Sequence, residues 1–443
     1  MSDRNRDDYF DLDNFDETID SREYRRRQAA RNNRSSNGRR PSGGRPSGRR
    51  PSNRRKKTRT RNRIIIVIGM LAILSLLVFL LTMMFRGCGG KKAELVSTDT
   101  MTQQEESAAP TKAAKQANAQ ANAQSGDPLS ISYFMTPSIE DDNSEGTDFG
   151  TVYGWKGAAY ELFGGDESMG KNYGESITKF AEKLPGLTVY SMVVPNHTEY
   201  GLPQRLKDGS VHSNSQSANI KAAYEAMGSS VTPINAYNYI GEHNKEYVYF
   251  NSDHHWTGLG AYYAYKAFAD TNKMTPLMLE DCTEKQIDGF TGTFTDLASG
   301  LESDSVHYWE FPYSVSMEIH YAGGNTETYE SPYYENAEAG PNTYGVFIFG
   351  DNPLTVLKSS SENAEPNRKI AVVKESYGNA FVSYLTQNYS EVHVLDMRSF
   401  RENSDVGLTD YCQKNGITDV LFLNGIMSAN NQQMLDGIEA MLD

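Results

Sequence analysis

The chain has 443 residues, 38% of them hydrophobic and 23% charged, with a formal net charge of −14. That length exceeds one small domain, and the charge is unevenly divided: Arg22 to Arg63 holds 18 of the 43 basic residues and a single acid, Glu23, whereas everything from Arg86 onward carries a net −25. An acidic body repels phosphate, which excludes it as a nucleic-acid binder, and three cysteines do not make the disulfide framework of a small secreted domain.

In chain order, residues 1–63 read as a disordered Arg-rich tail. "GRRPSGGRPSGRRPSNRR" repeats Pro, Ser, Gly and Arg without an apolar residue from which to build a core. Ile64 to Phe85, "IIIVIGMLAILSLLVFLLTMMF", has no charge over 22 residues, enough to cross a hydrocarbon core of about 30 Å as a helix. The run is too long and too far from the N-terminus for a cleaved signal peptide, and no small-x-small site follows it. It reads as a single-pass signal-anchor. Positive charge stays cytoplasmic, and "RRKKTRTRNR" (54–63) abuts one end, so the N-terminus is expected inside and the remainder outside the cell membrane. The basic tail sets topology there and touches anionic lipid of the bilayer. Residues 86–128 form an extracellular Ala/Gln/Ser linker with no apolar stripe, and 129–443 is the folded body, ample for a core.

Within the body, "LTVYSMVV" (187–194) is a buried strand and "EYVYFN" (246–251) another extended run, followed by helical spacing in "GLGAYYAYKAFAD" (258–270). Residues 290–345 read as a β-rich insertion shaping one side of a cleft, with a hairpin at Gly323-Gly324-Asn325. Toward the C-terminus strand and helix alternate: strands at 369–373, 391–396 and 418–424, helices at 378–388, 406–416 and 430–443. Connections this short predict an α/β fold with a parallel sheet flanked by helices. Cys282 and Cys412 lie in this body; a bridge between them is left open.

Ligands of open α/β sheets bind beyond the carboxyl ends of the strands. Behind those ends stand Asn196 and His197, then Asp253, His254 and His255, then Lys374, Glu375 and Ser376, then Asp396 and Arg398, and finally Asn424. A serine hydroxyl is a weak nucleophile unless an imidazole takes its proton, and the imidazole needs a carboxylate to fix its tautomer. Asp253 and His255 in "NSDHHWT", 123 and 121 positions before Ser376 in "KESYGNAF", supply both groups from one loop. Ser376 falls between a strand and a helix, where Tyr377, Gly378 and Asn379 are candidate oxyanion donors, with Gly378 allowing a substrate to approach. Bland alternatives stand beside this: Ser376 as a helix N-cap, and His255 as a packed core histidine under Trp256. Aspartate with two histidines also suits Zn²⁺ or Mn²⁺, but adjacent histidines in an extended segment face opposite ways and no second ligand-rich motif appears, so neither metal nor cofactor is expected.

Together, "SDHHWTGLGAYYAYKAF", "VVKESYGNAFVSYLTQNYSEVHVLDMR" and "MVVPNHTEYG" (192–201) resemble the DHHW family of bacterial envelope proteins, akin to the SGNH-like domains of alginate O-acetyltransferases. The resemblance spans most of 130–443. Asp253, His255, Trp256, Thr257, Ser376, Gly378, Asn379 and Phe381 fall on its motif positions, and the Asp-x-His element precedes the serine as in the rearranged version of the SGNH order. It implies an SGNH-hydrolase-like fold and a catalytic triad of Ser376, His255 and Asp253. Relatives usually carry Asp-Ser where this chain has Glu375-Ser376, a longer side chain beside the nucleophile. No second oxyanion motif is evident; Asn196 and Asn424 are assigned to it by position only, and His254 and Trp256 to substrate or structural contacts.

The function expected is O-acetyl transfer to, or ester hydrolysis on, a cell-envelope or exported polysaccharide. A multispanning membrane acyltransferase is the expected source of acetyl groups, because none is available outside the cell from the cytosol. The alternative is a catalytically inactive glycan-binding or scaffold protein, whose 27 tyrosines would stack on sugars.

Overall fold

The computed structural model describes residues 126–442. The tail, the apolar run 64–85 and most of the linker lie outside the described residues; within them, no helix is long and apolar enough to cross a membrane.

Thirteen strands are found among these residues. A small antiparallel sheet joins β1 (Thr147–Asp148), β2 (Val152–Trp155) and β3 (Ala158–Glu161). The main sheet contains β4 (Thr188–Val194) and β5 (Val231–Pro233). Two strands, β6 (Thr283–Phe290) and β7 (Asp304–Glu310), form a separate antiparallel ribbon. The main sheet then continues with β8 (Val315–His320), β9 (Thr326–Tyr329), β10 (Leu354–Ser359), β11 (Glu365–Lys374), β12 (Tyr389–Asp396) and β13 (Asp419–Gly425). Its order is β5-β4-β13-β11-β12-β10-β8-β9.

The fold is therefore mixed α/β, with a large sheet flanked by helices, and parallel only in part. β5, β4, β13, β11 and β12 run parallel, whereas β10, β8 and β9 add antiparallel to the β12 edge. The reason is visible in the sequence of the strands. β13 is buried at every position and β11 over its last five, as a strand covered on both faces must be. β8 alternates buried and half-buried residues, the pattern of a strand with one wetter face. Consequently β8 and β9 within 290–345 extend the main sheet, whereas β7 pairs with β6 in the separate ribbon.

Helices cover the parallel part: α1 (Glu167–Glu182), α2 (Gln216–Ala226), α3 (Gly258–Thr271), α4 (Leu408–Asn415) and α5 (Gln432–Leu442). Asp166 caps α1 through the N–H groups of Ser168 and Met169, and Gly416, in the left-handed region, ends α4. Two expectations are corrected. Residues 246–251 form no strand; they fold back on the next turn, with the Thr257 N–H on the Val248 carbonyl and one isolated bridge between Tyr249 and Trp256. The helix expected at 378–388 is one α-turn, Gly378–Phe381, followed by a 3₁₀ stretch, Val382–Gln387. Cys282 and Cys412 are both free thiols, so no bridge joins them.

Candidate active site at the strand ends

β11 ends at Lys374, and the next residues turn sharply into the Gly378–Phe381 helix, leaving Glu375 and Ser376 at the sheet's carboxyl edge. The second segment, 251–257, is shaped by a carboxylate. Asp304, at the start of β7, accepts the N–H groups of Asn251 (2.9 Å) and Ser252 (2.7 Å) and the hydroxyls of Ser252 and Tyr247. Gly292 lies against the same turn: a Cβ there would come within 2.3 Å of the Asp253 Cβ and 2.4 Å of the Ser252 carbonyl, so a larger residue would displace it. Trp256 Nε1 donates to the Tyr377 carbonyl at 2.9 Å, and the Tyr377 hydroxyl donates to the His254 carbonyl. These two bonds bind the serine turn to the histidine turn.

Between them runs an unbroken chain of hydrogen bonds. Asp253 Oδ1 lies 2.6 Å from His255 Nδ1, and His255 Nε2 lies 2.8 Å from Ser376 Oγ. A carboxylate only accepts, so Nδ1 carries the proton and Nε2 accepts from the serine hydroxyl. All three residues are buried, Ser376 at 5% exposure. Asp253 Oδ1 also takes the His255 N–H (3.0 Å), and its Oδ2 takes the Thr293 N–H (2.9 Å) and hydroxyl (3.1 Å). Burial alone would raise the Asp253 carboxyl; the adjacent imidazoles of His254 and His255 and the bonds from His255 and Thr293 outweigh it and hold it far below the usual range. The Tyr344 ring stacks on His255 at 4.1 Å between centroids and 14° between planes, while its hydroxyl donates to the Ser376 carbonyl at 3.2 Å.

Glu375 does not displace the serine. Its carboxylate turns back to accept the N–H groups of Tyr377 (2.8 Å) and Gly425 (2.7 Å), tying the turn to the end of β13; its distance to Ser376 Oγ is 3.4 Å, longer than the bond to His255. The expected oxyanion donors are otherwise engaged. The N–H of Gly378 donates to the Glu375 carbonyl and that of Asn379 to the Ser376 carbonyl. The Asn379 amide donates to Asp351 at 3.0 Å, leaving its own oxygen buried without a partner. The Ser376 N–H takes no part in these bonds. The room left by Gly378 is filled by Lys374, whose Cβ would stand 2.7 Å from an added Cβ, and not by open space for a substrate.

Asn196 and Asn424 make their side-chain hydrogen bonds to groups other than the serine. Asn196 caps the His197–Gly201 helix through the Thr198 N–H and donates to the Glu161 carbonyl. Asn424 accepts from Tyr173 (2.9 Å) and donates to the Met397 sulfur. Sequence reasoning missed Thr293, Asp304 and Tyr344, which lie 40, 51 and 91 positions after Asp253 along the chain and carry no motif. The ligand atoms of Asp253, His254 and His255 lie within 4.8 Å of one another, a spacing that suits a metal ion. In this arrangement the Nδ1 atoms of the two histidines are instead partnered by Thr293 Oγ1 and Asp253 Oδ1.

A second charged cluster, built on the buried Lys374 and Asp396, lies behind the turn. Lys374, wholly buried, reaches Asp351 and, at 3.2 Å, Asp396; Arg398 Nη2 lies 2.7 Å from both of the same carboxylates. Burial would lower the Lys374 amine, but Asp351 and Asp396 more than compensate and raise it.

Fold and site thus define an α/β protein with an acid–imidazole–hydroxyl chain at its strand ends. The chain belongs to the DHHW protein family, whose profile matches residues 135–395. It is similar to a solved DHHW family protein from Eubacterium siraeum DSM 15702, at 28% identity and a TM-score of 0.57, over 65% of this chain and 94% of that one. It also shares a fold with Bacillus cereus PatB1, solved with a sulfonyl adduct, at 18% identity and a TM-score of 0.53, over 64% of this chain and 96% of that one. No curated protein sequence matches it significantly.

Proposed function

We propose that this protein is a membrane-anchored, extracellular serine acyl-ester enzyme, an O-acetyltransferase or O-acetylesterase acting on a cell-envelope or exported polysaccharide. The observation that carries the reading is the continuous bonding from Asp253 through His255 to Ser376. His255 takes the Ser376 proton as Oγ attacks the acetyl carbonyl, and returns it to the leaving group. Asp253, ionised and held by Thr293, stabilises the imidazolium formed in between. The acyl-enzyme is then resolved by a sugar hydroxyl or by water, with His255 again accepting the proton. The developing oxyanion sits beside the Ser376 N–H, the donor that the turn's internal bonds leave out. A sulfonyl adduct has been captured on PatB1, and the shared fold makes sulfonylation a useful probe here.

An acetyl donor outside the cell requires delivery through the bilayer, for which a multispanning acyltransferase is the proposed partner. The test is p-nitrophenol release from p-nitrophenyl acetate by the full-length chain in detergent solution. The reading predicts release that Ser376→Ala and His255→Ala each abolish. Release by folded wild type no faster than by Ser376→Ala would refute it.

A further inference from the structure

His254, the residue between the acid and the base, is not used by the chemistry above. Its backbone is fixed by the Tyr377 hydroxyl on its carbonyl. Its ring lies against that of His255, with centroids 3.8 Å apart and planes at 38°. Its Nδ1 lies 3.0 Å from Thr293 Oγ1 and 3.8 Å from Asp253 Oδ1.

The direction of these bonds can be worked out. Asp253 accepts only, so the Thr293 hydroxyl must spend its single proton on Asp253 Oδ2 at 3.1 Å. Thr293 Oγ1 can then only accept from His254, which puts the ring proton on Nδ1. In the neutral ring that leaves a lone pair on Nε2. Burial and the neighbouring His255 imidazole push the His254 basicity down, against the opposing pull of Asp253, which favours that neutral form. Nε2 takes part in none of these bonds, and the side chain is 28% exposed, against 4% for His255. Both rings turn Nδ1 toward the Asp253–Thr293 pair, so both Nε2 atoms lie on the side away from it. One faces Ser376; the other, on the ring whose centroid lies 3.8 Å from that of His255, is a hydrogen-bond acceptor.

We infer that His254 Nε2 accepts a hydrogen bond from the hydroxyl adjacent to the one being acylated, so that the site selects a vicinal diol as acyl acceptor over a lone alcohol hydroxyl. This rests on the acyl-enzyme reading. The reacting hydroxyl has one proton, and it must go to His255 Nε2 as its oxygen bonds to the acyl carbon and Ser376 Oγ leaves, taking that proton back from His255. A second contact to His254 from an alcohol acceptor therefore needs a second donor, which the hydroxyl on the neighbouring carbon of a sugar ring supplies and a lone alcohol does not. A site built to bond a substrate hydroxyl discriminates strongly against the analogue lacking it.

The test uses the full-length chain with p-nitrophenyl acetate as donor and either trans-cyclohexane-1,2-diol or cyclohexanol as acceptor, probes that differ in one hydroxyl. Ester formed is divided by acetate released. The wild type is expected to favour the diol by at least about tenfold beyond the statistical factor of two. His254→Asn keeps a donor where Nδ1 sits and removes the outer acceptor, so its preference should collapse to the statistical factor. His254→Gln places an amide oxygen near the Nε2 position and should restore much of it. Equal transfer to both acceptors by wild type, or an undiminished preference in His254→Asn, overturns this role while leaving the acyl-enzyme intact. Absence of acetyl on Ser376 in the wild type overturns the underlying reading as well, and is seen separately by mass spectrometry of the quenched protein.

Discussion

Two polar clusters flank the turn at residues 375–379, and they are built differently. Behind it, Lys374, Arg398, Asp351 and Asp396 form a set of two positive and two negative charges bonded to one another. In front of it, Asp253, His255 and Ser376 form a chain with one fixed charge at the closed end and a hydroxyl at the other. The first cluster has no group whose proton can move without leaving an opposite charge unmatched. The second has a proton that can pass along the chain. The first ties together the ends of β11 and β12 and the Asn379 amide; the second ends in a hydroxyl bonded to an imidazole. A protein can thus bury charge for two purposes within a few residues, and the bonding pattern tells them apart.

The contrast predicts opposite outcomes for substitutions only two positions apart. Ser376→Ala or His255→Ala should lower acetyl-ester turnover by at least about 10³-fold, while chemical denaturation shifts by only about 1 kcal/mol, the size of a lost hydrogen bond. Lys374→Met should do the reverse in kind. It leaves Asp351 and Asp396 with Arg398 as their one remaining cation in this cluster and should cost about 3–5 kcal/mol of stability, with activity following the folded fraction. A stable Lys374→Met protein with lost turnover would put Lys374 in the chemistry and erase the distinction.

Next in size, Thr293→Val keeps the backbone N–H on Asp253 but removes the hydroxyl that bonds both Asp253 and His254. Turnover should fall about tenfold, with little change in the denaturation midpoint. Smallest is a pH effect. The Lys374 amine is raised in the folded state, so its contribution is fully present below the unfolded value near 10.5 and is lost as pH rises through the higher folded value. Wild type should therefore lose stability in strong alkali more steeply than Lys374→Met, whereas the two curves should run parallel near neutrality.

Much of this arrangement was legible in the sequence, for local reasons. Strands β4, β11, β12 and β13 are short apolar runs bounded by helices, and α3 and α5 show helical spacing. The pairing of an Asp-x-His turn with a serine after a strand pointed to the residues that the structure brings within hydrogen-bonding distance. What was not legible is long-range. The β1–β3 sheet uses strands of two to four residues, too short to show a period. The antiparallel flank depends on β10, whose pairing with both β12 and β8 no local pattern announces. Gly378 was read as space for a substrate because its neighbour in three dimensions, the folded-back Lys374, is set by distant carboxylates. Asn196 and Asn424 were placed by strand-end position alone, and position does not say which way an amide bonds.

The central claim is that Ser376 is the atom acylated. The most direct measurement is acid quench of the full-length chain with p-nitrophenyl acetate, followed by peptide mapping. The account predicts one acetyl group on the peptide bearing Ser376, absent from Ser376→Ala and not formed by His255→Ala. Acetyl found only on lysines, or at equal level in Ser376→Ala, would contradict it.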